Sequence, residues 1–100
     1  MRLEHIRWSD AKPPTQDDAR RCLEEEGFAV VCWSDPPNRA YTPHAHAHDE
    51  SLWMIAGAMT FVIAGQSYRV EAGDRLTLPR GLVHEARAHD TGARYLIGER

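Results

Sequence analysis

The sequence predicts an all-β domain, a barrel or sandwich, entered through one helix. Three observations carry this. From Phe28 onward the chain consists of short segments rich in Val, Ile, Thr, Tyr, Phe and Trp, separated by Gly, Pro and Asp. Several of those segments alternate apolar and polar residues with the period of two expected of a half-buried strand. Seven or eight such segments in so short a chain favour closure into a barrel or sandwich over one open sheet.

The elements follow in order. Residues 1–27 read as an N-terminal extension carrying a helix at about 16–26, and residues 28–100 as the barrel domain. Thr15 is placed to cap the helix, Asp18 stands three residues later as in a capping box, and Gly27 stops it. Its apolar positions, Ala19, Cys22 and Leu23, form one narrow stripe, so the helix is expected on the outside of the fold. Strands are expected at 28–33, 40–46, 51–56, 59–64, 67–71, 75–78, 83–89 and 93–97.

If Gly57-Ala58 and Gly65-Gln66 are two-residue hairpin loops with Gly first, Met54 faces Phe61, Leu52 faces Ile63, Ile63 faces Tyr68 and Phe61 faces Val70. All of these share one face. The same parity extended backwards puts Glu50, His46 and His44 on it, with Thr60, Ala64, Ser67, Arg69 and Glu71 on the other. Trp53, Ile55 and Val62 then share the outer face, and such a cluster is either covered by another element or used as an interface; we read it as a homodimer interface.

At 100 residues the chain is expected to build one core, and 42% apolar with 27% charged residues is the composition of a folded globular protein. A formal charge of −3 with no Lys/Arg stripe argues against nucleic acid as a partner. No apolar run approaches a membrane span and Met1–Asp10 resembles no signal peptide, so the expectation is a cytoplasmic protein without a membrane partner. Cys22 and Cys32 are read as buried free thiols.

Two punctuated segments carry the chemistry. The first reads His44-x-His46-x-x-x-Glu50, then six residues to Gly57. The second reads Gly73, five residues, Pro79-x-Gly81-x-x-His84. In spacing and punctuation they resemble the two motifs of the cupins, and the chain is similar to a small single-domain cupin from roughly Phe28 to Ile97. The resemblance implies a double-stranded β-barrel, or jelly roll, with a divalent metal held by His44, His46, Glu50 and His84. Three imidazoles and a carboxylate suit Zn, Fe, Mn, Ni or Cu and leave coordination positions for water, substrate or O₂. Gly73-Asp74 would turn into the next strand, and Pro79 with Gly81 would shape the loop delivering His84.

The chain departs from the pattern twice. Asn38 stands where the first motif begins with Gly, and tolerates the same left-handed turn. Ala88 stands where the second ends with Asn.

His48 shares parity with His46 and is placed at the rim, behind the four ligands. His5 and His89 are read as ordinary surface imidazoles, and Tyr41, Met54, Phe61 and Tyr68 as barrel lining. Glu24, Glu25 and Glu26 look like a solvated helix end. No Ser-His-Asp or Cys-His nucleophile arrangement and no Gly-rich phosphate loop is present, so any chemistry goes through the metal.

Two functions follow. In one, the metal coordinates a small oxygen-rich molecule in the barrel mouth, as in cupins of oxygenase or isomerase type. In the other the protein is a non-catalytic small-molecule binder or sensor, the metal holding ligand or stabilising the barrel.

Overall fold

The computed structural model describes residues 1–100 and arranges them as one helix, α1 (Gln16–Glu25), and seven strands: β1 (Glu4–Ile6), β2 (Ala29–Asp35), β3 (Ala40–His44), β4 (Glu50–Ile63), β5 (Gln66–Glu71), β6 (Arg75–Leu78) and β7 (His84–Glu99). All strand pairs are antiparallel, in the order β1-β6-β4-β7-β2, with β3 on β7 and β5 on β4. The all-β class expected from the segment pattern is what forms.

The helix follows from its caps. The Thr15 hydroxyl accepts the Asp18 amide at 3.1 Å, and Gly27 follows the last turn with φ +91°. Ala19 and Leu23 are buried against Phe28, Ile55 and Leu96, with Val30 and Trp53 at the margin. The Arg75 guanidinium clamps Glu26, at the helix end, to β6 with an N–O separation of 2.9 Å. This packing revises the outer-face reading. Ile55 is only 7% exposed, beneath α1, while Trp53 is half-buried by the Trp8 ring and the Arg75 guanidinium. The chain's own N-terminal extension covers these side chains, so a homodimer cannot be argued from them. The thiols also differ from expectation: Cys22 is half-buried and Cys32 exposed, on the outward parity of β2.

The break at Gly57-Ala58 is a corner, not a hairpin. β4 runs through it, and its register against β7 shifts between Met54 and Ala56 and again between Gly57 and Met59. β7 loops out over residues 89–92 at the same level, since Gly57 pairs with Ala93 and Met59 with Ala88. The irregularity switches the inward parity of β4 from even (Leu52, Met54) to odd (Met59, Phe61, Ile63), and all five are buried. The inward set is thus the one expected, reached by a different backbone. The next hairpin turns on Ala64-Gly65, both with positive φ (51° and 78°), and pairs Phe61 with Tyr68 and Met59 with Val70. A register displaced by two residues keeps every side chain on its expected face.

A twelve-residue core fills the space between the layers, including Met54, Met59, Val70, Leu76, Leu78 and Ala88. One strand, β1, has no counterpart in the sequence reading. It pairs Glu4–Ile6 with Arg75–Thr77, and buried Asp74 holds the segment beyond it. The Asp74 carboxylate accepts from the amides of Trp8 (2.9 Å) and Glu71 (3.1 Å) and meets His5 Nε2 at 3.0 Å. Burial alone would raise its pKa. The Trp8 and Glu71 amides, with His5, outweigh that and hold it below the ordinary aspartate value. His5, read as a surface imidazole, is therefore a strut, and the Trp8 ring fills the space where a Cβ on Gly73 would stand. No helix is long and apolar enough to cross a membrane.

Two outcomes are expected. A Cβ at Gly57 would lie 2.0 Å from the Gly92 carbonyl oxygen at φ +76°, whereas one at Gly65 meets nothing within 4 Å. Denaturant titration should therefore show Gly57→Ala losing about 2–5 kcal/mol and Gly65→Ala about 1. Because Asp74 has a depressed folded pKa, its contribution is complete above the free value of 3.8 and disappears as pH falls through the lower folded value. Asp74→Asn should cost about 1–3 kcal/mol at neutral pH, and the gap from wild type should narrow in melts below that pH.

Candidate metal centre

The two motif segments meet because β3 and β4 both pair with β7. His44 is the direct cross-strand partner of His84, and their ring centroids stand 4.4 Å apart. His46 leaves β3 beyond its last residue and completes the group, at 4.9 Å from His44 and 5.3 Å from His84. The connections are locked to each other. Gly81 N donates to the His46 carbonyl at 2.9 Å, and Arg80 N donates to the Asp49 carboxylate at 2.8 Å. Asn38 has φ 64°, as a residue replacing Gly there requires, and Ala88 is fully buried in the core.

The imidazoles are oriented by their own strands. His44 Nδ1 lies 2.7 Å from the Thr42 carbonyl and His84 Nδ1 3.0 Å from that of Leu82. A carbonyl only accepts, so each Nδ1 carries a proton, and in the ligating tautomer the lone pair is on Nε2. Burial, then the neighbouring His44 and His48 rings, pull the His46 pKa below its ordinary value. For His84 burial is again the main cause, opposed by the Leu82 carbonyl. For His46 and His84 burial thus works toward the neutral form that ligates metals.

Ligand atoms of His44, His46 and His84 lie within 4.8 Å of one another, as do those of His46, His48 and Glu50. The four residues expected as ligands do not form one such group. Glu50 attaches through His46, 3.5 Å from its Nε2, and its second oxygen is 3.4 Å from His48. It is buried, and burial raises its pKa against the pull of His48. Three imidazole nitrogens with a carboxylate beside His46 form a donor set that fits a borderline divalent ion. His48 also reaches Glu99 at 3.5 Å. His89 lies outside the site, bonded to the Thr60 hydroxyl at 2.7 Å.

The set opens into a cavity of about 300 Å³ walled mainly by Val31, Leu52, Met59, Phe61, Ala86 and Ile97. Tyr41, Phe61 and Tyr68 fall on the expected side. Tyr41 and Phe61 line the cavity, and Tyr68 packs against the core with Met54 inside it. Trp33, Tyr95 and Glu99 also line it, and the last two escaped the sequence reading. So did Asp35, a buried carboxylate behind the tyrosines. The signal was present in parity: Asp35 follows Val31 and Trp33 on the inward face of a strand where only an apolar residue or a bonded polar one is stable.

A family model described as Cupin domain matches residues 31–97. No curated protein matches the chain. Among solved structures, KdgF from a Halomonas species is similar at 28% identity over 73% of this chain and 70% of that one, with TM-score 0.61. Oxalate decarboxylase OxdC from Bacillus subtilis, as a mutant, is 30% identical over 72% of this chain but only 20% of its own length, with TM-score 0.64. A DUF861-family protein from Thermotoga maritima shares the fold over 99% of this chain and 100% of that one, at 16% identity and TM-score 0.65.

Proposed function

The chain belongs to the cupin family, and we propose that it binds one divalent transition metal ion through His44, His46, His84 and Glu50 and uses it to coordinate a small oxygen-rich molecule. The observation that carries this is the orientation of the imidazoles, with both β7-paired rings committing Nδ1 to a backbone carbonyl and keeping Nε2 for the shared centre. Zn, Fe, Mn, Ni and Cu all suit such a set. When bound, an ion of this kind supplies Lewis-acid polarisation of ligand oxygens.

The chain's own residues do the rest. His44 and His84 are held by their strands before any ligand arrives, so little ordering is needed on binding. Glu50 brings a negative charge that offsets part of the ion's. The apolar walls exclude water from the bound molecule and strengthen the polar contacts at its ends. Oxalate, which the similar Bacillus enzyme takes as substrate by its name, represents the class: small, anionic and rich in oxygen. A non-catalytic binder would use the same site, and the two uses differ only in turnover.

Protein purified without a His-tag is expected to carry about one ion per chain by elemental analysis, with Glu50→Ala and His84→Ala each lowering occupancy at least tenfold at limiting metal. Co(II)-loaded protein should change its visible spectrum on addition of oxalate. Full occupancy in both variants would refute the site, and an unchanged spectrum would refute the open coordination position. Consumption of oxalate or of hydroxy and keto acids across Fe, Mn, Ni and Cu forms would establish an enzyme, and binding alone a sensor or carrier.

A further inference from the structure

The cavity has a second polar pole that the metal reading does not use. Tyr95 donates its hydroxyl to Asp35 Oδ2 at 2.6 Å, Tyr41 donates to Oδ1 at 2.5 Å, and Trp33 Nε1 donates to the same Oδ1 at 3.1 Å. Trp33 Nε1 also lies 3.2 Å from the Tyr41 oxygen. Asp35 is 5% exposed and lies behind the rings, while Trp33, Tyr41 and Tyr95 line the cavity. The Tyr41 ring stands 6.2 Å from that of His44, so this cluster and the imidazoles belong to one chamber.

The hydrogen-bond inventory decides what the cluster recognises. Each phenol has one proton, and both protons are given to Asp35. The single N–H of Trp33 is likewise committed. What remains is lone pairs: two on the Tyr95 oxygen and one on that of Tyr41. Burial, then the bond to Asp35, raises the pKa of Tyr95 and of Tyr41, so both stay neutral and keep those protons. The carboxylate behind them repels an anionic group, which leaves the imidazole end as the place for a ligand's acidic part. Between the two poles the walls are apolar.

From this arrangement we propose that Tyr41, Tyr95 and Asp35 form the ligand-selecting end of the cavity, accepting a hydroxyl or amine hydrogen from a small one-ring-sized molecule with an apolar body, whose acidic end lies at the histidines. The inference deepens the metal-dependent reading above and rests on it for the orientation of the ligand. A purely structural role would make the cluster a tie between β2, β3 and β7 with no effect on which ligand binds.

Calorimetric titration of the metal-loaded protein with benzoate, 4-fluorobenzoate, 4-aminobenzoate and 3- and 4-hydroxybenzoate separates the possibilities. Wild type is expected to bind the better hydroxybenzoate about three- to tenfold more tightly than benzoate or the similarly sized fluoro compound, with 4-aminobenzoate following the hydroxy compound. Tyr95→Phe removes two of the three free lone pairs and should bring the ratio down toward one. Asp35→Asn supplies an N–H donor to one phenol and frees that phenol's proton to donate, so 4-aminobenzoate should lose its advantage, while the hydroxybenzoates, whose oxygen can accept, keep part of theirs. Thermal melts show that each variant is folded before titration. A wild type that binds all five equally overturns the inference and leaves the metal reading standing, as does a preference that survives both substitutions. Loss of benzoate binding in His84→Ala, with the hydroxyl preference of wild type intact, supports both readings. No binding of any probe at millimolar concentration overturns the inference, and an unchanged Co(II) spectrum beside it overturns the metal reading too.

Discussion

The pairing of β4 with β7 is the constraint on which the rest depends. Together they hold the longest ladder, from Glu50 opposite Glu99 at one end to Val62 opposite Glu85 at the other, and every other strand except β1 attaches to one of them. A ladder of that length cannot enclose a core unless it bends. It bends where Gly57 meets Gly92, at a separation that admits no Cβ on Gly57. Gly92 in turn lies against the Asp35 carbonyl oxygen, 2.8 Å from where its own Cβ would be. The corner therefore fixes the end of β2 as well as the path of β4 and β7. Curvature concentrated at glycines leaves the flanking segments regular, with alternation intact on both sides.

The same pairing assembles the site. His84 is the first residue of β7, and β3 comes to it with His44 directly opposite. Glu50 is the first residue of β4, between Leu78 of β6 and Glu99 of β7. Candidate ligands from three strand ends thus lie at one mouth of the barrel, where loops bring His46 and Gly81 into hydrogen-bond contact. Strand ends have rigid backbone on one side and open space on the other, which suits a group that must be held still and remain reachable.

Much of this was legible in the sequence because it depends on local period and local turn chemistry. The helix caps, the inward set from Leu52 to Val70, the left-handed turn at Asn38 and the two halves of the histidine cluster all follow from neighbours close along the chain. The errors had a common cause. Gly57-Ala58 carries the composition of a hairpin and also that of a corner, and only the partner strand decides between them. Parity survived because the shifts in β4 and the two-residue displacement of the β5 register both preserve which face a residue occupies. What was lost depends on contacts far apart in sequence: β1, held through Asp74; the outer face, covered by α1; and the cluster of Trp33, Asp35, Tyr41 and Tyr95, whose members meet only after β2 and β3 have both paired with β7. Family spacing places His48 behind His46, whereas in the structure its Nε2 lies between Glu50 and Glu99 and it stands with His46 and Glu50 in one group of possible ligands.

The two poles of the cavity follow one rule. At each, the protons of the lining groups are given to protein acceptors: His44 to the Thr42 carbonyl, His84 to that of Leu82, Tyr41 and Tyr95 to Asp35. The chamber is therefore furnished with lone pairs at both ends and apolar surface between. A lone pair on imidazole nitrogen is basic and soft enough to coordinate a transition metal ion, whereas one on a neutral phenol is a weak base suited to a hydrogen-bond donor. The difference in basicity, not a difference in polarity, tells the two ends apart. In the function we propose, a cation is held at the first and draws the anionic part of a ligand to it, and the second, backed by a buried carboxylate, takes the part that donates a hydrogen bond.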